Sequence, residues 1–203
     1  MPTDFFLRSG ASGLGGAGQR ALSQRRGRVS SNVVTTTTAG GTNIQVTATA
    51  GGQELTWFSE PFTADIAISG TVTVNIRALE SAVDVNAGRG ILIERTDNAG
   101  AVQSSIVADT TVPNPIMEMS TIDAANAAAT YTPTSTAMSA GDRIKVTLKV
   151  RNVGTMGAGT VTISHDGPTT AGGSTWVRFT EDIFTDEVLD VPHYQIIGSG
   201  YRG

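Results

Sequence analysis

LTWFSEPFTADIAISGTVTVNIRALE, residues Leu55 to Glu80, decides how the chain reads. From Ile66 onward it alternates. Ile66, Ile68, Val72, Val74, Ile76 and Ala78 fall on one side; Asp65, Ser69, Thr71, Thr73, Asn75 and Arg77 fall on the other. Period 2 with one apolar and one polar face predicts a strand with one face buried. At about 3.3 Å per residue the run reaches on the order of 50 Å, too long for a flat strand. Gly70, at a position where a core side chain is expected, is the place for a bulge or bend. A long bent strand of this kind crosses a β-sandwich.

The flanking sequence agrees. Val33–Thr38 is β-prone, and Ile44, Val46 and Ala48 alternate with Gln45, Thr47 and Thr49. Gly51-Gly52 turns the chain into Leu55–Phe58. Gly90–Arg95 reads as a strand, Asp97-Asn98-Ala99-Gly100 as its hairpin turn and Ala101–Ala108 as the return. DAANAAA, residues 123–129, makes one helical turn at most. Tyr131–Met138 reads as one strand broken by Pro133. The second clean alternation follows, with Ile144, Val146, Leu148 and Val150 inward and Arg143, Lys145, Thr147, Lys149 and Arg151 outward. Val161 and Ile163 mark a further strand, and Trp176–Phe179 the last. Strands separated by Gly and Asx turns, without helical periodicity, predict an all-β antiparallel sandwich, a jelly roll by preference, over residues 33–180.

Residues 1–32 read as an extended N-terminal arm, rich in Gly, Ser and Arg, with Phe5, Phe6 and Leu7 as an apolar anchor at its tip. Residues 181–203 read as an acidic C-terminal tail with scattered apolar anchors, among them Phe184, Val188 and Leu189. The formal charge of −4 is unevenly spread. Arg8, Arg20, Arg25, Arg26 and Arg28 crowd one end; Glu181, Asp182, Asp186, Glu187 and Asp190 crowd the other. Opposite charge at the two ends suits contacts between copies or with neighbouring proteins.

The 203 residues contain no cysteine, which excludes disulfides, thiol catalysis and thiolate metal sites. No apolar run approaches the roughly 18 residues of a membrane span. The opening DFFLR is too short and too charged for a signal core, so a soluble product with no sign of export is expected.

The order of signals over residues 55–180 resembles a group of tailed-bacteriophage virion proteins with a carbohydrate-module-like jelly roll. The motifs are Trp57-Phe58-Ser59-Glu60-Pro61 before the long strand, Glu80-Ser81-Ala82 with Asn86 at its close, Gly141-Asp142-Arg143-Ile144 opening a late strand, and His165-Asp166-Gly167 at a hairpin. The opening DFFLRS is similar to the openings of such proteins. The resemblance implies a structural virion component, assembled in the host cytoplasm: an auxiliary capsid (decoration or cement) or minor capsid protein, or a neck or tail piece. It does not extend to the acidic tail and transfers no binding residue.

The residues offer little recognisable chemistry. His165 and His193 are the histidines available to a Ser-His-Asp arrangement, and each reads as a surface or turn residue; no G-x-S-x-G elbow is present. Glu60, Glu80 and Glu94 are glycosidase carboxylates by type alone, and Glu80 is better explained by bonds to backbone amides or Arg77 at a strand end. The Gly-rich stretch 10–18 lacks a Gly-Lys-Ser/Thr ending and is no phosphate loop. Asp97, Asn98, Asp109, Asp123, Asp142 and Asp166 are loop oxygens without EF-hand spacing, explained by turn formation. No metal or cofactor is expected. Trp57 and Trp176 read as core filling, with a sugar-stacking platform as the alternative.

The row Arg143, Lys145, Lys149 and Arg151 holds both lysines of the chain. It reads as a solvated face, or as a docking surface for an acidic partner such as another copy's tail. Nucleic acid is disfavoured, because the rest of the chain is acidic and no aromatics interleave the bases. The sequence therefore predicts a non-enzymatic homo-oligomer, taken as a trimer, that binds the major capsid or other virion proteins. Phe5, Phe6, Leu7, Phe184, Val188 and Leu189 are its apolar anchors, and Arg25, Arg26, Arg28 and the Arg143–Arg151 row supply charge. The alternative is a carbohydrate- or receptor-binding module of a neck, tail or fibre.

Overall fold

A computed structural model describes residues 1–24, 32–42, 45–50, 53–108, 118–122, 124–125, 128–165, 175–183 and 185. The chain is all-β, a sandwich of the jelly-roll type whose larger sheet curls until it is nearly closed. The strands are β1 (Thr3–Ala11), β2 (Gln19–Ser23), β3 (Asn32–Thr38), β4 (Gly41–Thr42), β5 (Gln45–Thr47), β6 (Thr49–Ala50), β7 (Gln53–Glu54), β8 (Thr56–Ser59), β9 (Ile66–Ile68) and β10 (Val72–Asn75). They continue as β11 (Arg77–Glu80), β12 (Ala87–Thr96), β13 (Val102–Val107), β14 (Ala124–Ala125), β15 (Ala129–Tyr131), β16 (Thr136–Met138), β17 (Arg143–Asn152), β18 (Thr155–Met156), β19 (Gly159–His165) and β20 (Trp176–Phe179). The large sheet runs β13-β12-β17-β8-β2-β1-β20-β10-β15, with β5 also on β17; the small sheet runs β14-β11-β19-β3.

From Ile66 onward the deciding stretch does cross between the layers, in three pieces, β9, β10 and β11. Ile68, Val72, Val74, Ile76 and Ala78 all face the core. The chain breaks around Gly70, where the Glu181 carboxylate accepts hydrogen bonds from the Ser69 and Gly70 amides at 2.7 and 2.6 Å. A Cβ on Gly70 would collide with Thr180 Oγ1, so only glycine lets the Thr180–Glu181 segment approach this closely. β10 then pairs in the large sheet and β11 in the small one. The polypeptide changes layers at Ile76.

The longest ladder joins β12 to β17 from Ala87↔Asn152 to Thr96↔Arg143. Its inner faces supply Ile91, Ile93, Ile144, Val146, Leu148 and Val150, all fully buried. Two local expectations fail. Tyr131–Met138 splits into β15, on β10, and β16, on β9, because Pro133 cannot continue a ladder. Ala124–Ala125, expected in a helical turn, pairs with β11 as an edge strand, where tertiary pairing overrides alanine's helix propensity.

The arm requires a larger correction. Residues 3–23 are not an appendage; they form a hairpin in the middle of the large sheet. β1 pairs antiparallel with β20, and β2 pairs parallel with β8. Phe5 and Leu7 are fully buried and Phe6 nearly so. Phe5 meets Phe179 edge-on at 5.9 Å. Phe5 and Leu7, expected to dock on partners, fill the protein's own core, Phe6 is buried on the opposite face of β1, and the boundary expected at residue 32 does not separate an arm from a body. The Gly-rich stretch is the hairpin loop, with Gly15 and Gly18 at φ +72° and +75°.

The start of the tail is also tied down. Thr3 Oγ1 donates to Glu181 O at 2.9 Å, and the Ile183 amide donates to Thr3 Oγ1 at 2.8 Å. Gln24 Nε2 donates to Ile183 O at 2.8 Å, and the terminal ammonium lies 3.3 Å from Asp182. Arg25, Arg26, Arg28, Phe184, Val188 and Leu189 lie outside the described residues.

Candidate functional site

The basic row of β17 is not an open docking face. β17 is central, flanked by β12 on one side and by β8 and β5 on the other. Arg143, 7% exposed, donates from Nη1 to Ser59 O (2.9 Å), from Nε to Asn98 O (3.1 Å) and from Nη2 to Asn98 Oδ1 (3.2 Å). It thereby fastens the β12–β13 turn over β8. Lys145 pairs with Glu94 across the ladder at 2.8 Å. Arg151 is buried against Gly90, where a Cβ would stand 2.8 Å from its Nε. Lys149 is half-buried. Outward register does not mean solvent where loops fold over the outer face, and this row acts as internal fastening.

The other residues singled out by the sequence also hold the fold. Trp57 is fully buried and donates its indole N–H to Arg8 O at 3.0 Å. His165, expected in a turn, ends β19 inside the core, edge-on to Trp57 at 6.2 Å. Glu80 is buried and its Oε2 accepts from the Ala87 amide at 2.9 Å, so it serves backbone as expected, but at the start of β12 rather than at Arg77. Burial pushes its carboxyl above the ordinary value; the Ala87 hydrogen bond opposes this, and nearby Glu118 and Asp84 add to the rise. Asn86 closes the same turn in the left-handed region, at φ +49°. Asp142 accepts from the Ser139 amide at 2.6 Å and sits 2.7 Å from Arg95 Nε. Among the described residues no group of His, Asp and Glu is placed to hold a metal ion. His193, Asp109, Asp123 and Asp166 lie outside those residues.

What the sequence did not single out is the outer face of the large sheet around the N-terminal hairpin. One row of registered residues runs Asn75–Trp176–Phe6–Ser23 across β10, β20, β1 and β2. Arg178 lies over the Trp176 ring, 5.1 Å from its centre, and holds Asp4 with two hydrogen bonds of 2.5 and 2.8 Å. That bond to Asp4 raises the Arg178 pKa, so the guanidinium stays charged. Beside this row lies an open cleft of about 420 Å³, lined by Arg8, Ser9, Gly10, Ala21, Leu22, Ser23 and Glu60. A partly exposed indole, cations, a carboxylate and hydroxyls share this face, which suits a polar ligand better than an apolar one.

No family model matches the sequence, and no curated protein is similar to it. Solved structures share its shape. A CocE/NonD family hydrolase from Staphylococcus aureus superposes with a TM-score of 0.50 at 11% identity, covering 88% of this chain and 36% of that one. An aminopeptidase from a marine-sediment Thaumarchaeota archaeon gives 0.47 at 12% identity, covering 91% and 37%. The VP2 subviral particle of infectious bursal disease virus gives 0.20 at 14% identity, covering 87% and 42%. The likeness to the Staphylococcus aureus hydrolase is one of fold. The chain spans little more than a third of the length of the hydrolase chain it matches.

One expectation is corrected by this result. The sequence reading denied the chain any part in an enzyme, because no catalytic motif was recognisable. The same fold occurs within a solved hydrolase chain, so that denial does not stand. A fold hosts many functions, and missing motifs exclude none of them.

Proposed function

We propose that this chain is a structural component of a bacteriophage particle, of the auxiliary capsid (decoration or cement) or minor capsid type. It acts as a homo-oligomer, with a trimer as the starting symmetry, seated on the major capsid protein or another virion protein. One observation carries the reading. Gln24 donates to Ile183 O, so the described residue that precedes the basic stretch of the sequence and one that closely precedes the acidic stretch are in contact. The first stretch brings Arg25, Arg26 and Arg28; the second brings Asp186, Glu187 and Asp190. A basic and an acidic sequence segment in one chain can each complement the opposite segment of another copy, and many such weak contacts add up on a repeating lattice. The resemblance over residues 55–180 points the same way. Its motif residues Trp57, Glu80, Asn86 and Asp142 all pin turns or core, as an assembly module requires.

The test is quantitative mass spectrometry of purified particles from a lysate carrying the encoding genome. The expected result is a copy number comparable with the major capsid protein, and particles released by salt should lose this chain first. Absence from the particles overturns the reading.

A second reading is favoured by the outer face. Trp176, Arg178 and the Arg8–Glu60 cleft suit a carbohydrate or a receptor glycan on a neck, tail or fibre assembly. Glycan-array binding that is lost in Trp176→Ala, with the melting temperature kept, supports it; binding that survives the substitution removes it.

A further inference from the structure

The N-terminal hairpin is seated far from its own place in the chain. Its hydrogen bonds span 49 positions (Arg8–Trp57), 174 (Asp4–Arg178) and 180 (Thr3–Ile183). Neither of its strands pairs with β3, the next strand in the sequence. Without the hairpin the large sheet divides into β13-β12-β17-β8 and β20-β10-β15. Each half then ends in an open edge, with a gap between them two strands wide. Unpaired edges over an uncovered core recruit whatever strand can fill them. The seat is specific. It takes a parallel strand along β8, from Gln19↔Thr56 to Leu22↔Ser59, and an antiparallel strand along β20, from Thr3↔Phe179 to Phe6↔Trp176. Phe5, Leu7 and Leu22 complete the core from above it.

We infer that in the assembled state this hairpin is donated to a second copy of the chain. Residues 25–31 link Gln24 to β3 in the sequence. Every contact of the hairpin with its seat is the same whichever copy supplies it, so exchange forfeits none of them. The balance then rests on effective concentration, and copies side by side on a lattice supply that to one another. Exchange turns a ring of touching copies into a ring of interlocked ones. This inference rests on the self-association in the proposed function, and the experiment separates the two.

The absence of native cysteine makes the test clean. Asp4 and Arg178 are register partners across the seam, and paired strands bring Cα atoms within disulfide reach. Asp4→Cys with Arg178→Cys is oxidised in the full-length protein under conditions where light scattering shows oligomers. Thr73→Cys with Thr130→Cys, register partners on β10 and β15, is the control whose disulfide stays within one chain. The expected result is that most chains of the seam variant run as covalent dimers or larger without reductant, while the control runs as a monomer. Oligomers whose seam disulfide closes within each chain overturn the exchange and leave self-association standing. Protein that is monomeric throughout overturns both.

Should the seam variant fail to fold, the wild type serves. ¹⁴N- and ¹⁵N-labelled chains are mixed in denaturant, refolded, and joined by a zero-length carbodiimide between the Met1 amine and Asp182, 3.3 Å apart. Mixed-isotope linked peptides are expected in close to the statistical half, and single-isotope peptides alone overturn the proposal. Inserting ten Gly/Ser residues between Gln24 and Asn32 is expected to shift either readout toward linkage within one chain.

Discussion

Phe5→Ala separates a docking arm from a core hairpin. Phe5 is fully buried and stands edge-on to Phe179 with ring centres 5.9 Å apart and planes at 88°. A buried phenylalanine removes about 150–250 Å² from water. At about 25 cal/mol per Å² that amounts to roughly 4–6 kcal/mol of transfer free energy for the whole residue. Alanine keeps its own share and the walls relax only in part, which places the expected loss at about 3–5 kcal/mol. For a chain of this size the melting temperature should fall by about 2–4 °C per kcal/mol, or on the order of 6–20 °C. Equilibrium urea unfolding reads the change directly. Within a double-mutant cycle, Phe5→Ala and Phe179→Ala should couple by about 0.5–1.5 kcal/mol, the ring–ring share. A residue on a free arm would change stability by less than about 0.5 kcal/mol and show no coupling. That outcome would refute the placement of β1.

Three further outcomes follow from the same structure. Burial works to raise the Glu181 carboxyl, but hydrogen bonds from the Gly70 and Ser69 amides, its own backbone and the Thr180 hydroxyl outweigh it and hold the group below its ordinary value. Its contribution is therefore present above the unfolded carboxylate value and lost as pH falls through the lower folded one; Glu181→Gln should flatten that acid limb of a melting-temperature profile. Glu80 has the opposite sign: its raised folded value means stability present below the unfolded value and lost as pH rises through the folded one. Glu80→Gln should remove that loss and melt no lower than wild type at neutral pH, whereas Glu80→Ala, which strips the Ala87 amide of its acceptor, should cost about 1–3 kcal/mol in the same assay. Gly70→Ala should destabilise by about 1–3 kcal/mol through collision with Thr180, and Thr180→Ala introduced beside it should restore most of the loss on calorimetry.

Much of the sandwich was legible because alternation is local. Ile144 to Val150 and Ile66 to Ala78 carry their own evidence of which side is inside. The N-terminal hairpin was not legible. Phe5-Phe6-Leu7 is too short a run to display a period, the glycines after it resemble a linker, and its seat is built from β8 and β20, far along the chain. The basic row misled for a related reason. Period 2 gives the face of the sheet but not whether a loop covers it, and the Asp97–Gly100 turn, through Asn98, covers Arg143. Trp176 carried no signal beyond its residue type. It gained a role only when β20 was set between β1 and β10, beside Phe6 and Asn75. Glu80 was placed near a strand end by sequence, and its buried amide partner at Ala87 came from the fold of the 81–86 turn.

The order of strands also sets an order of events at the ribosome. The hairpin is made before the strands that flank it, its parallel neighbour β8 follows within a few dozen residues, and β20, against which β1 must close, comes last of the described strands. At about 5–20 residues per second the interval before β20 emerges lasts on the order of ten to thirty seconds. Through that wait the newborn chain shows phenylalanines and an unmated edge to its surroundings. Neighbouring ribosomes on one message would be delivering β20 to the same small volume.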